Sequence, residues 1–440
     1  MGRAADADVA FIEGDEDALF VVDQPGDRPF QPFRALRSPA AKALGDEALK
    51  LLLNYEAHCA PRQRKRRPED HGRLVQIVHA VIADLMHRAL TVPEGWVTVP
   101  LSKRVLSRQT RYGSPVLSKM LPTVLRYLST PELEWVELNK GYRHPFDGYA
   151  NRQSTMRAGL PLLRRIRAGG LTLADLGLDQ GQETIILKAA KQGHWDNGDW
   201  LDYEDTETTR LYRAHMERIN AALAAADVGY WGTSKKPVDE DDRFLRRIFN
   251  NGSFEQGGRL FGGFWQDLSK AERASGLVIQ GEEIVTLDYA QMALRIVYGL
   301  AKVTPPAGDA YLIPGYELHR TGMKKLFNAM LFADEPLGRF PRGLRDLFPR
   351  RASLANAVGA LTTAHAPIAS LLTSGVGMKA MFIESRILVA VLLSLIEDGI
   401  PALPIHDALI VAKSKSTAAQ ERMLSIFNAH TGVQGAVNEE

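Results

Sequence analysis

Apolar positions three and four apart predict helices over residues 40–59 (Leu49, Leu52, Leu53) and 72–90 (Leu74, Ile77, Val78, Val81, Ile82, Leu85). A third is predicted over 206–226, where Leu211, His215, Ile219 and Leu223 share one row. Between the last two, Ser102 stands as an N-cap and Gly113-Ser114-Pro115 interrupts the run. Val116, Met120, Val124 and Leu128 then recur every four residues. This predicts a helix opening at Ser102 and another over 116–128. Trp135-Val136-Glu137-Leu138 is strand-like and runs into a turn over 139–143. Residues 1–35, acidic and punctuated by Pro and Gly, predict an arm that is poorly ordered or laid over another domain. Residues 169–200 form a Gly-rich polar connector with an apolar helix expected near 183–190.

Two later stretches have a different pattern. Ile284-Val285-Thr286-Leu287 is a short β-branched run and predicts a buried strand delivering Asp288 at its end. Leu403-Pro404-Ile405 and Leu409-Ile410-Val411 predict two arms of a hairpin with His406-Asp407-Ala408 at the turn. If these strands are neighbours in one sheet, two carboxylates converge at one end of it. Such a pair can hold two divalent cations about 3.5–4 Å apart, the arrangement of phosphoryl and nucleotidyl transfer. Hard carboxylates with phosphate oxygens and water suit Mg²⁺, with Mn²⁺ as a substitute. Asp288 and Asp407 are therefore the candidate metal ligands and catalytic residues. His406 either orients a phosphate or primer end or packs as an ordinary turn histidine.

Charge sharpens one region. The chain has 440 residues and a formal charge of only +2. Yet residues 101–167 hold thirteen Lys/Arg against four Asp/Glu, a local balance of +9. Helix, turn, helix, strand and basic loop is the order of a winged helix-turn-helix, so DNA is the expected partner there. Arg108, Arg111, Lys119 and Arg143 are the candidate contacts, against a plain reading of a small helical domain with a solvated basic face. The run Arg62-Gln63-Arg64-Lys65-Arg66-Arg67, framed by Pro61 and Pro68, is either a phosphate-binding or a solvated loop. One cysteine, Cys59, excludes a disulfide framework and a cysteine-rich zinc site, and is expected to be partly buried in a helix. No apolar run reaches 18 residues and the acidic N-terminus lacks a signal-peptide layout, so a cytoplasmic protein without a membrane span is expected.

Asp288-Tyr289-Ala290-Gln291-Met292-Ala293-Leu294-Arg295 resembles the first palm motif of family A DNA polymerases, usually DYSQIELR. Ile405-His406-Asp407-Ala408 resembles their second palm motif, usually VHDE, or the HDS of phage-type single-subunit RNA polymerases. Between the two the family carries a fingers helix, and Arg320, Lys324, Asn328 and Phe332 supply its spacing of four. Residues at i, i+4 and i+8 drift slowly round one helical face, so Arg320 and Lys324 point together toward an anion such as a triphosphate. A register with Lys325 in place of Lys324 shifts the later positions by one. The resemblance covers residues 259–412. It implies an α+β right-hand palm, an antiparallel sheet with helices, and small helical fingers behind a mainly helical N-terminal region. It also implies that Tyr289 adds a backbone carbonyl to the metal site, that Lys324 serves both nucleotide binding and catalysis, and that Arg259 in the Gly-rich stretch 254–266 contacts nucleic acid. The plain alternative for that stretch is a Gly-bulged edge hairpin with its aromatics in the core.

The departures from the family matter. Ala293 stands where the usual Glu crowds the sugar 2′ position, Ala408 replaces the third acidic residue, and Phe332 replaces Tyr. These changes move the pattern toward the phage-type RNA polymerases, so NTP is expected beside dNTP. Asp202-Tyr203-Glu204 has the form of an exonuclease motif, but its flanks are polar and no partners follow, so no proofreading site is expected. The segment ahead of the palm is short, which implies a reduced thumb. The expected organisation is an N-terminal arm and helices (1–95), a winged-helix-like DNA-binding domain (96–168), connector and thumb (169–250), palm (251–303), fingers (304–375) and palm again (376–440). The leading reading is a DNA primer-template polymerase working with a helicase or other replication proteins. The alternatives are a primer-making primase or RNA polymerase, a replication initiator with a relic palm, and an enzyme that does not act on nucleotides.

Overall fold

A computed structural model of the protein describes residues 27–107, 110–142, 152–179, 181–191, 196, 198–234 and 238–440. They fall into two compact units, residues 27–183 with 238–239, and 184–234 with 240–440.

The first unit begins with two short strands, β1 (Arg28–Pro29) and β2 (Arg34–Leu36). Part of the predicted arm is thus built into a domain. Helix α1 (Pro39–Cys59) starts where Ser38 accepts a bond from the Ala41 amide at 3.1 Å, with Pro39 in the first turn. Helix α2 (Pro68–Thr91) packs on it and contributes more of the core than any other element: Leu74, Ile77, Ile82, Leu85 and Met86 are all essentially inaccessible. Full burial of each such side chain stabilises the fold by about 1.5–3 kcal/mol. Among the described residues α2 alone has the length and apolarity to cross a membrane, and 67% of its apolar window is buried inside the protein, as in a core helix. Asp84 of α2 is fully buried and held by Arg28 at 2.7 Å and Arg34 at 3.2 Å, which fastens both short strands to the helix. Then come β3 (Val97–Val99), α3 (Leu121–Leu128), β4 (Val136–Asn139), β5 (Ser154–Ala158), α4 (Leu160–Ala168) and β6 (Leu176–Leu178). The sheet order is β1-β3-β5-β4, antiparallel except for β1 on β3, while β6 pairs with β2.

Three expectations fail in this unit. No helix opens at Ser102: residues 103–107 are turns, as are most of 111–120, and α3 begins only at Leu121, where Pro122 fits the first turn. The i, i+4 spacing is satisfied by turns instead, which still bury Leu106 and Val116. Ser114 accepts from the Val116 amide at 3.2 Å, a local bond that competes with helix. Cys59, the last residue of α1, is exposed rather than partly buried.

The second unit opens with β7 (Ile185–Leu187), a strand where a helix was expected. It lies parallel to residues 247–249, with all three side chains buried. A short apolar run without period cannot by itself distinguish the two states. Helix α5 (Glu207–Ala225) is capped by Thr206 and leads to β8 (Val228–Tyr230), β9 (Arg246–Phe249) and β10 (Gly257–Phe261). After the short helices α6 (Phe264–Asp267) and α7 (Lys270–Gly276) come β11 (Leu277–Ile279), β12 (Glu282–Tyr289) and α8 (Met292–Leu300). The chain continues through α9 (Arg320–Phe332), α10 (Leu354–Ala364), α11 (Val376–Glu397), the hairpin β13 (Ala402–Ile405) and β14 (Ala408–Ala412), α12 (Ser416–Thr431) and β15 (Val437–Glu439). The main sheet runs β13-β14-β12-β11-β8, antiparallel throughout, and β15 pairs with the other side of β12 near its end.

Candidate active site

Strand β12 alternates as a half-buried strand should. Val285, Leu287 and Tyr289 are buried, while Ile284, Thr286 and Asp288 face the other way and are half-exposed. The Tyr289 ring lies 5.4 Å from Phe427 of α12, and its hydroxyl donates to the Met423 carbonyl at 2.8 Å. The Tyr289 side chain is thus committed to the core, which leaves only its backbone to act at the site. Asp288 sits opposite Ala408 of β14, and the Tyr289 amide donates to the Asp407 carbonyl at 3.5 Å. The hairpin turn has two central residues, His406 and Asp407, one fewer than expected, because Ala408 already pairs with Ile405. His406 takes a φ of +52°, a conformation more often given to glycine. The two carboxylates therefore belong to adjacent strand ends of one sheet.

Electrostatics bear out the proximity. The Asp288 carboxyl is pushed up to about 7, first by burial, then by the negative charges of Asp407 and Glu440. Lys324 and Lys270 pull in the opposite direction without compensating. Two carboxylates on adjacent strand ends are hard oxygen donors of the kind that hold a divalent cation.

Helix α9 spans the four spaced residues. Its inner face buries Met323, Leu326, Phe327, Met330 and Leu331, while Arg320 and Lys324 are exposed and Asn328 is half-buried. Lys324, rather than Lys325, is the lysine whose charge reaches Asp288. Arg320 is ion-paired with Asp309 and its guanidinium lies 5.8 Å from the centre of the Tyr311 ring. Phe332 packs against Gly377 at the start of α11, where a Cβ would fall 2.6 Å from the ring. Ala293 is half-buried in the first turn of α8.

Two clamps hold the loop that carries Asp309. Gln291, with a left-handed φ of +59°, caps α8; its amide nitrogen donates to the Gly308 carbonyl at 3.2 Å and its oxygen accepts from the Ala310 amide at 3.1 Å. His365 is buried, and its Nε2 lies 3.0 Å from the Ala310 carbonyl. A carbonyl only accepts, so Nε2 carries the proton and Nδ1 accepts from the Tyr298 hydroxyl at 2.9 Å. Burial holds the His365 pKa down, which keeps this relay neutral.

The Gly-rich stretch is a bulged edge hairpin with aromatics in the core. Phe264 and Trp265 are core residues, and Trp265 donates to the Pro404 carbonyl at 2.8 Å beneath the hairpin. Arg259 lies just past a bulge in β10 and donates to Glu384 of α11 at 2.8 Å. The bulge residue Gly258 has φ +83°, and a Cβ there would sit 3.0 Å from Ser385 Oγ. Its carbonyl receives the Ser385 hydroxyl and Arg247 Nε at 3.1 Å. Glu384 lies in the third turn of α11. Burial raises its pKa, Arg259 opposes this, and the charge of Asp407 adds to it.

In the first unit, Arg111 is ion-paired with Glu183 at 3.7 Å and Lys119 is exposed. Arg108 and Arg143 lie outside the described residues. The sequence reading missed Gln291, Asp309 and the final strand. Asn438 of β15 stands directly opposite Asp288, and Glu440 exchanges both backbone bonds with Thr286. Nothing in the polar tail Val437-Asn438-Glu439-Glu440 signals that position.

No family model matches the chain, and no curated protein matches it. Among solved structures it is similar to one described as the POL domain of Pol1 from M. smegmatis in complex with DNA primer-template and dNTP, with a TM-score of 0.30 and 10% sequence identity. The match covers 92% of this chain and 66% of that one, just short of two thirds of its length.

Proposed function

We propose that the second unit is a nucleic-acid polymerase that transfers nucleoside monophosphates from dNTP or NTP to a 3′-hydroxyl on a DNA primer-template. The observation that carries this reading is the pairing of Asp288 and Asp407 on adjacent strand ends, with Lys324 of α9 near enough for its charge to act on Asp288. Asp288 and Asp407 would hold Mg²⁺ or Mn²⁺, with the Tyr289 carbonyl as a further ligand. Bound there, two such ions lower the pKa of the attacking hydroxyl and stabilise charge on the phosphates. The chain's own residues do the rest. Lys324 and Arg320 bind the triphosphate and offset the charge that accumulates on the leaving pyrophosphate. Asp309 holds Arg320 in place, and the Gln291 and His365 clamps hold Asp309. Arg259, fixed by Glu384, contacts the primer-template, and His406 faces the primer end.

For the first unit we read the antiparallel order β3-β5-β4, with α2 packed on β5 and α3 on β4, as a domain that binds duplex DNA. Replication is the context that fits a DNA-binding unit joined to a nucleotidyltransferase.

Primer extension by the full chain, with dNTPs and NTPs in parallel and with either cation, tests the reading. Incorporation that disappears in both Asp288→Ala and Asp407→Ala is expected. Substantial activity surviving in either variant would remove the paired-carboxylate assignment.

A further inference from the structure

The loop between α1 and α2 forms an open cleft of about 500 Å³ lined by Arg62, Arg64, Lys65, Arg66 and His71. Between Glu56 and Arg73 the chain carries six Lys/Arg and three Asp/Glu. One of those acids builds the cleft from beneath. Glu56 of α1 is buried and accepts both terminal nitrogens of Arg66, one at 2.7 Å, while Arg62 reaches it at 3.5 Å. Bidentate pairing of this kind fixes a guanidinium in place at little further entropic cost. Arg66 Nε is buried and has no hydrogen-bond partner. Arg64, Lys65 and Arg67 are exposed and have no ion-pair partner among the described residues. The loop is therefore anchored on one side and has unneutralised cations on the other.

We infer that this cleft binds the phosphodiester backbone of a nucleic acid, at a site separate from the candidate active site. The lining decides the class of ligand. It contains no Phe, Tyr or Trp on which a base would stack, only the single ring of His71, which speaks against a free nucleotide. None of the exposed large apolar side chains falls between residues 56 and 73, so there is nothing to enter a lipid surface. Repeating phosphates meet the remaining features: several cations in a row, most of them arginines whose forked donors match a phosphate. The site reads backbone rather than sequence, and its contribution is salt-dependent through counterion release. It does not depend on nucleotidyl transfer taking place in the other unit.

Binding of labelled duplex and single-stranded oligonucleotides to the full chain, followed by fluorescence anisotropy across a salt series, tests the inference. Arg64→Ala combined with Lys65→Ala removes two exposed charges and leaves the Arg66–Glu56 pair intact. Loss of two phosphate contacts is expected to reduce the slope of log K against log salt by about 2 on duplex. Primer extension by the double variant at saturating primer-template, run in parallel, is expected to keep the wild-type rate, which separates this site from the candidate active site. An unchanged slope in the double variant overturns the inference. So does displacement of the oligonucleotide by ATP at an equal phosphate concentration. A double variant that binds oligonucleotides normally but loses affinity for vesicles containing phosphatidylserine also overturns it, and assigns the cleft to a membrane.

Discussion

Asp288 and Asn438 face each other across β12 and β15, while a methyl group, Ala408, occupies the equivalent place on β14. Directly opposed residues in an antiparallel pair hold their Cβ atoms about 4.5–5.5 Å apart. The carboxyl in the middle strand thus has an uncharged neighbour on each side, and the negative charges that act on it are those of Asp407 and Glu440. Asn438→Asp would place a third acid against it. The expected result is a further rise in the Asp288 pKa, seen by carboxyl NMR, whereas Asn438→Ala should leave it close to the wild-type value.

The raised Asp288 pKa also makes a stability prediction. Its folded pKa of about 7 lies above the ordinary carboxyl value, so the folded state holds a proton that the unfolded chain releases. Stability therefore falls as pH rises from about 4 through 7, because the unfolded state binds fewer protons over that window. Asp288→Asn cannot ionise and escapes the loss. Melting of the metal-free protein should show little difference between variant and wild type near pH 4, and a growing advantage for the variant up to about pH 8. A constant difference across that range would mean that Asp288 titrates normally.

The Arg259–Glu384 pair is open to a double-mutant cycle. Arg259→Ala leaves Glu384 buried without its partner, and breaking a buried pair costs about 3 kcal/mol. Arg259→Ala with Glu384→Gln removes the orphaned charge and should recover most of that loss in urea denaturation. If the two changes are additive, the 2.8 Å contact carries no coupling and Arg259 is held by something else.

Much of this arrangement is legible in the amino-acid sequence. The β-branched run from Ile284 to Leu287 specifies a strand that ends in Asp288, although only Val285 and Leu287 of the run are buried. The β-branched arms around His406-Asp407 specify a hairpin, and α9 has the bounds that its four-residue spacing suggests. What is not legible depends on pairing over long distances. Residues 103–107 and most of 111–120 have helical spacing but resolve into turns, because Ser114 offers the backbone a local alternative. Strand β7 exists because β9 lies beside it. Asn438 joins the site only through the register of β15, 150 positions away in sequence from Asp288. Gln291 falls in a motif read for its neighbours, yet its side chain works on a loop that no local pattern identifies.

Gln291 supplies a prediction that separates binding from chemistry. Its two bonds to the loop are each worth about 0.5–1.5 kcal/mol. Gln291→Gly suits the left-handed backbone but removes the clamp, so the loop bearing Asp309 loosens without strain at the cap. Arg320 then loses its fixed partner. The expected outcome is a KM for nucleotide raised about three- to tenfold with kcat little changed, the mark of lost ground-state positioning. A fall in kcat at constant KM would place Gln291 in the chemical step instead.

The last prediction concerns the sugar. Rejection of a 2′-hydroxyl requires a bulky group against it, because an apolar pocket tolerates an added hydroxyl cheaply, by only about 10²-fold. Ala293, in the first turn of α8 after Asp288, offers a methyl group at the position where the resemblance places that bulk. Phe332 is engaged with Gly377 at the start of α11, so closing the space from α9 would require it to leave that packing. Weak discrimination is therefore expected, with kcat/KM for dNTP and matched NTP within about 10² of each other. Ala293→Glu should widen the ratio in favour of dNTP, and Phe332→Tyr should change it less. A wild-type preference for dNTP of about 10⁴ or more, equivalent to roughly 5.5 kcal/mol, would place the gate elsewhere. Under that outcome Ala293→Glu would leave the ratio unchanged, and the small side chain at this position would have no bearing on the choice of sugar.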